Sequence, residues 1–132
     1  MNNVALNRID SLYKELGEET IHRLVDRFYD IMDTDPQVSG IRLMHKDLAI
    51  SREKLFEFLV GRFGGPPLYN DKHGHPMLRA RHAPFPIGSS ERDQWMNCMT
   101  RAMNDCIGNK ELIAIMTGFF QMVADSMINK TE

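Results

Sequence analysis

Two cysteines, one tryptophan and no surplus of positive charge are what this chain offers, and each shortage removes a class of protein. Sixteen Lys and Arg stand against 18 Asp and Glu, a formal charge of -2. With no basic excess to neutralise a phosphate backbone, nucleic acid is not expected as the main partner. Nothing approaches the ~18 consecutive apolar residues of a membrane-spanning helix. The start, MNNVALNRID, has no charged segment leading into an apolar core. The expectation is a soluble, cytoplasmic protein with no membrane partner. Cys98 and Cys106 lie eight apart in a helically spaced segment. Along one helix their α-carbons would be ~12 Å apart, too far for a disulfide. Two small thiols in a reducing compartment are the expectation. No segment alternates at period two, which removes a β-sheet core.

What is present points to an all-helical domain. At 132 residues, with 42% hydrophobic and 26% charged, the composition is that of one ordinary globular domain spanning 1–132, without room for a second. Ile21, Leu24, Val25, Phe28 and Met32 recur at steps of three and four, predicting a helix over 18–33 that stops at Asp35-Pro36. A shorter helix is expected before it, with Val4, Leu6, Ile9, Leu12 and Leu16 on one side and Gly17 as terminator. Leu55, Leu59 and Phe63 form a stripe over 48–63, closed by Gly64-Gly65 and Pro66-Pro67. Ser90-Glu91-Arg92-Asp93 resembles a capping box opening a helix that carries Trp95, Met99, Ala102, Met103 and Cys106 inward. A last helix is predicted from about Glu111 to Ile128.

Between these helices lies the segment 64–88, GGPPLYNDKHGHPMLRARHAPFPIG. It holds four of the nine glycines, five of the six prolines and three of the five histidines, and it cannot be one long helix. Loops beyond ~12–15 residues are uncommon in compact domains. Leu68, Tyr69, Met77, Leu78, Phe85 and Ile87 make this one too apolar for a tethered coil, so it is expected to order against something. Lys72, Arg79 and Arg81 outweigh Asp71, leaving the loop cationic. One candidate is zinc on His73, His75 and His82, although that spacing matches no zinc ribbon and no cysteine helps. The other is a flat apolar cofactor with carboxylate arms, needing an axial imidazole, arginines and apolar walls, a description that haem fits. Spacing alone leaves the three histidines nearly equal.

The order GGPP, GHP, LRARHAPF and ERDQW from Gly64 onward resembles the group II truncated haemoglobins, bacterial-type globins built as a two-over-two helical sandwich around haem with a long proximal loop. LVDRFYDIMD at 24–33, IRLMH at 41–45 and SREKLFEFLVG at 51–61 extend the likeness across about 12–107. The resemblance implies haem b (iron protoporphyrin IX) with His82, the histidine of RHAPF, as the iron ligand. It implies that Trp95 and Tyr29 reach the distal pocket as hydrogen-bond donors and that His45 occupies the family's variable corner position. As a histidine, His45 can donate, accept or reach the iron. Ser51 and Leu55 would look down on the iron, with Phe58 as a further wall. Tyr69, Lys72, Arg79 and Arg81 are candidates for the propionates, and Met77 and Phe85 complete the expected cofactor contacts.

The implied function is tight binding of dioxygen, carbon monoxide, nitric oxide or similar small ligands at a pentacoordinate iron, by a monomer, and not bulk transport. The alternative is a haem enzyme that oxidises nitric oxide to nitrate or cleaves peroxide. The chain shows no flavin or nicotinamide motif, so turnover would draw electrons from a separate reductase.

Overall fold

The computed structural model describes residues 8–131, and among them every regular element is helical. Val4 and Leu6 of the expected first helix lie outside the described residues. The remainder of that element is α1 (Leu12–Leu16), ended by Gly17 at φ 84. α2 (Glu18–Thr34) buries Ile21, Leu24, Val25, Phe28, Tyr29, Ile31 and Met32 on one face. After it, Asp35 caps a 3-10 turn at Pro36–Val38, accepting from the Gln37 N–H at 2.9 Å. A short helix follows that periodicity did not reveal, α3 (Ser39–Met44), whose Ile41 N–H donates to the Gln94 side chain at 3.2 Å.

α4 (Leu48–Arg62) is capped by Asp47, which accepts from Ala49 and Ile50. Its end is tied to α1 by the Tyr13 N–H donating to the Phe63 carbonyl at 2.8 Å. There Gly64 takes φ 97, and any Cβ would overlap the Asp10 carbonyl, so only glycine fits. The segment 64–88 is not one irregular loop. It contains α5 (Leu68–His73) and α6 (Leu78–His82), joined at Met77, which adopts the left-handed φ of 47. α7 (Ser89–Cys106) begins earlier than the sequence suggested. Its cap is Gly88, whose N–H donates to Glu91 at 2.7 Å, so Glu91 and not Asp93 is the capping acid. α8 (Lys110–Met127) starts at Asn109, which accepts from Glu111 and Leu112.

α2 packs against both α7 and α4, and α8 packs against α7, so one helix pair lies over another. Phe28, Phe63, Phe120, Leu24, Met99 and Met103 fill the space between them. Both cysteines are free, and burial pushes the Cys98 thiol up to about 11, which leaves it protonated and inert. Among the described residues no helix is long and apolar enough to cross a membrane.

Candidate functional site: a polar-headed cavity between the helix pairs

A cavity of about 750 Å³ opens between α4, α6, α7, α8 and the corner after α3. That volume lies within the ~300–1,000 Å³ usual for cofactor pockets. Its walls are mostly apolar, with Leu55, Phe58, Leu78, Ile87, Phe119, Phe120 and Val123 among them. Of the residues singled out from sequence, Tyr29, His45, Leu55, Phe58, Tyr69, Arg81, His82, Phe85 and Trp95 line it. Lys72, Met77 and Arg79 do not. Lys72 turns to Glu53 and Glu57, and Met77 is exposed at the left-handed turn.

The three histidines that spacing could not separate are separated by their partners. His73 Nε2 lies 3.3 Å from Glu57, and the His75 Nδ1 accepts from the Met77 N–H at 3.1 Å. Among the described residues no group of three or more His, Cys, Asp or Glu is placed to hold a metal ion, so the zinc alternative has no site. His82 lines the cavity, with Nδ1 2.7 Å from the Leu78 carbonyl. A carbonyl only accepts, so the proton sits on Nδ1 and the Nε2 lone pair is left for a ligand bond.

The polar head of the cavity comes from α2, α7 and the corner. Tyr29 is 5% exposed, packed edge-on against Phe28 at 4.8 Å, with the Arg52 guanidinium 5.8 Å from its ring centroid. Burial drives its phenol well above the ordinary range, against the opposing charge of Arg52, so the hydroxyl keeps its proton. Trp95 is wedged between Phe28 at 5.1 Å and Phe120 at 5.6 Å. Neither the Tyr29 hydroxyl nor the Trp95 indole N–H is hydrogen-bonded among the described residues. Among those residues no buried polar side-chain atom is left without a partner, so both groups open onto the cavity.

Of the alternatives open to His45, to donate, accept or reach the iron, its partners decide between the first two. Its Nδ1 lies 2.8 Å from the Ile41 carbonyl and therefore carries the proton. Burial, reinforced by Arg42 and His82 and opposed by the Ile41 hydrogen bond, holds the ring below the usual histidine range. At neutral pH its Nε2 is an acceptor.

Counter-charge for an anionic cofactor also sits differently. Arg81 spends its guanidinium on the Pro76 carbonyl at 2.7 Å and the His73 carbonyl at 3.2 Å. Lys46 and Lys54 line the cavity and form no ion pair among the described residues. Sequence reasoning missed both. Lys54 was within its reach, because Ser51, Lys54, Leu55 and Phe58 follow the helical steps of three and four that share one face.

Comparison with known proteins gives the family. The family model for bacterial-like globins matches residues 11–129. The chain belongs to the group II truncated haemoglobins. This globin is 41% identical over 120 residues to the group 2 truncated hemoglobin YjbI of Bacillus subtilis, covering 91% of this chain and 89% of the relative. The group II 2-on-2 hemoglobin of Agrobacterium tumefaciens superposes with a TM-score of 0.89 at 43% identity, over 92% of this chain and 95% of that one. The truncated oxygen-avid haemoglobin structure from Bacillus subtilis gives 0.82 at 39% identity, over 90% and 99%.

The family implies a haem cofactor, and the residues of this globin fit one. They supply one imidazole with a free Nε2, apolar walls for a macrocycle, and lysines without carboxylate partners for its acidic arms.

Proposed function

We propose that this globin retains dioxygen and similar diatomic ligands tightly on haem b, with His82 as the one protein ligand to iron. In that reading Leu78 fixes the imidazole tautomer, and the hydrogen bond from Nδ1–H raises the basicity of Nε2. Leu55, Phe58 and Phe120 exclude water from the macrocycle's faces. Lys46 and Lys54 take the propionates, with Tyr69 and Arg81 beside them. When bound, haem supplies a coordination position for a diatomic ligand. The Tyr29 hydroxyl and the Trp95 N–H donate toward that position.

The observation that carries this reading is the pair of unpartnered donors, Tyr29 and Trp95, sharing one cavity with an imidazole whose free nitrogen is Nε2. A hydrogen bond to a charged acceptor is worth ~1.5–3 kcal/mol, or about 10- to 150-fold in dissociation. Retention at that strength suits a ligand-holding protein better than a carrier. A relative whose structure is described as oxygen-avid supports the same direction.

The test is the absorption spectrum of the purified chain, reduced, with and without carbon monoxide, beside His82→Ala. The parent is expected to show a Soret band that shifts with carbon monoxide, and His82→Ala to lose stoichiometric haem. Normal haem retention in His82→Ala would overturn the ligand assignment. Many rapid turnovers with nitric oxide or peroxide and a reductant would replace retention with catalysis.

A further inference from the structure

α6 is poorly equipped to hold an imidazole still. It is five residues long, buries none of them, has no side-chain bond at its N-cap and opens on the strained Met77. A helix this short does not persist by itself in water. His82 is its last residue, and its ring is tied to Leu78 on the same turn, so the imidazole tilts with the helix as one body.

Something outside α6 therefore has to set its attitude, and two side chains are placed to do so. At the front, Arg81 binds the Pro76 and His73 carbonyls. At the back, the chain leaves α8 at Met127 and passes beside residues 82–87. There Asn129 makes four hydrogen bonds to main-chain groups. Its Nδ2 donates to the Phe85 carbonyl at 2.8 Å and the His82 carbonyl at 3.3 Å. Its Oδ1 accepts from the Ile87 N–H at 2.9 Å, and its own N–H donates to the Ile87 carbonyl at 2.9 Å. The His82 carbonyl also accepts from the Phe85 N–H at 3.0 Å, which occupies its second lone pair.

We propose that Asn129 is a positioning residue: it latches the segment 82–87 to the end of α8 and so sets the tilt of the His82 imidazole toward the iron. The proposal rests on the reading of His82 as the axial ligand. Asn129 touches neither cofactor nor ligand in this role. Asparagine suits the position because one amide both donates twice and accepts once, which neither aspartate nor serine can reproduce. Its neighbour Lys130 is a natural control. The Lys130 side chain pairs with Glu91 at 3.4 Å, while its contact with Ile87 is made by the backbone N–H and survives substitution.

The experiment is resonance Raman of the ferrous holoprotein, reading the iron–histidine stretching band, together with the rate of haem transfer to excess apomyoglobin. Asn129→Ala, Asn129→Asp, Lys130→Ala and His82→Ala are measured beside the parent. Asn129→Asp keeps the acceptor for Ile87 but loses both Nδ2 donors, and its near-identical shape keeps the test alive if Asn129→Ala does not fold. Both Asn129 variants are expected to shift or broaden the band and to lose haem about tenfold faster, the effect of one good hydrogen-bonded tether. Lys130→Ala is expected to match the parent. A lower melting temperature with band and transfer rate unmoved would reduce Asn129 to a stabilising contact and overturn the proposal. If His82→Ala keeps an iron–histidine band, the ligand assignment falls instead, and that outcome is separate from failure of the latch.

Discussion

Tyr29 and Trp95 enter the cavity from helices of 17 and 18 residues whose other faces are sealed by Phe28, Met99 and Met103, whereas His82 enters it from a five-residue helix that buries nothing. On the side of the cavity proposed to face the diatomic ligand, the distal side, apolar packing places the polar atoms. On the proximal side, side chains bonded to backbone carbonyls and carboxylates do so: Arg81, Asn129, and Lys72 with His73 on Glu57. A close-packed core feels any change of volume, so a distal donor can be deleted without moving its neighbours only where the ring is kept, as in Tyr29→Phe. Polar tethers are fewer and directional, so a proximal deletion is felt along the segment.

The largest effect that sharpens this contrast is on the ligand off-rate. Trp95→Phe or Tyr29→Phe is expected to raise the dioxygen dissociation rate at least about tenfold, with the fold and haem content unchanged in Tyr29→Phe, which keeps the ring. Stopped-flow rates that match the parent in both variants would remove these two groups from contact with the ligand.

A smaller, pH-dependent effect belongs to the proximal side. Glu57 has a side chain only 5% exposed, held by Lys72 at 2.6 Å and His73 at 3.3 Å. Burial pushes its carboxyl up, but the hydrogen bonds from Lys72 and His73 outweigh this and leave it below its ordinary value of 4.5. A depressed carboxyl stabilises the fold fully above its unfolded value, and that stability disappears as pH falls through the folded one. Glu57→Gln is therefore expected to give a shallower loss of melting temperature below about pH 4.5 than the parent. Identical acid profiles would break the assignment of a tether to Glu57.

The distal wall was legible in the sequence because long amphipathic helices repeat. Five of the buried residues of α2 follow the 3.6 period, and Trp95 stands on the stripe of Met99 and Ala102. α3, α5 and α6 span only five or six residues each, too few turns for a period to emerge. Motifs carried the proximal side instead: RHAPF singled out His82, which spacing left level with His73 and His75. The start of α7 was misplaced because glycine at the cap has no side chain to announce it, and the bond runs from its backbone to Glu91. Arg81 was read as free charge, since no local pattern tells a guanidinium that binds carbonyls two turns away from one facing solvent.

The smallest expected effect tests the joint between the two short helices. Met77 pays a steric penalty of ~1 kcal/mol for its left-handed backbone while leaving its side chain 55% exposed. Met77→Gly is expected to raise the melting temperature by up to about 3 °C, the entropy of glycine cancelling part of the relief. A fall of several degrees would mean that the methionine side chain holds α6 in place, which would bring the proximal side closer to the packed logic of the distal one.

The His45 ring binds its own helix through Nδ1 and shows the cavity a bare lone pair. A guest that carries hydrogen, such as water, hydroxide or a hydroperoxide, can hand that hydrogen to Nε2, while dioxygen, carbon monoxide and nitric oxide have none to give. On the proposed reading of the cavity as a ligand pocket, the corner histidine would sort protic from aprotic guests, favouring the former until acid turns the ring into a donor.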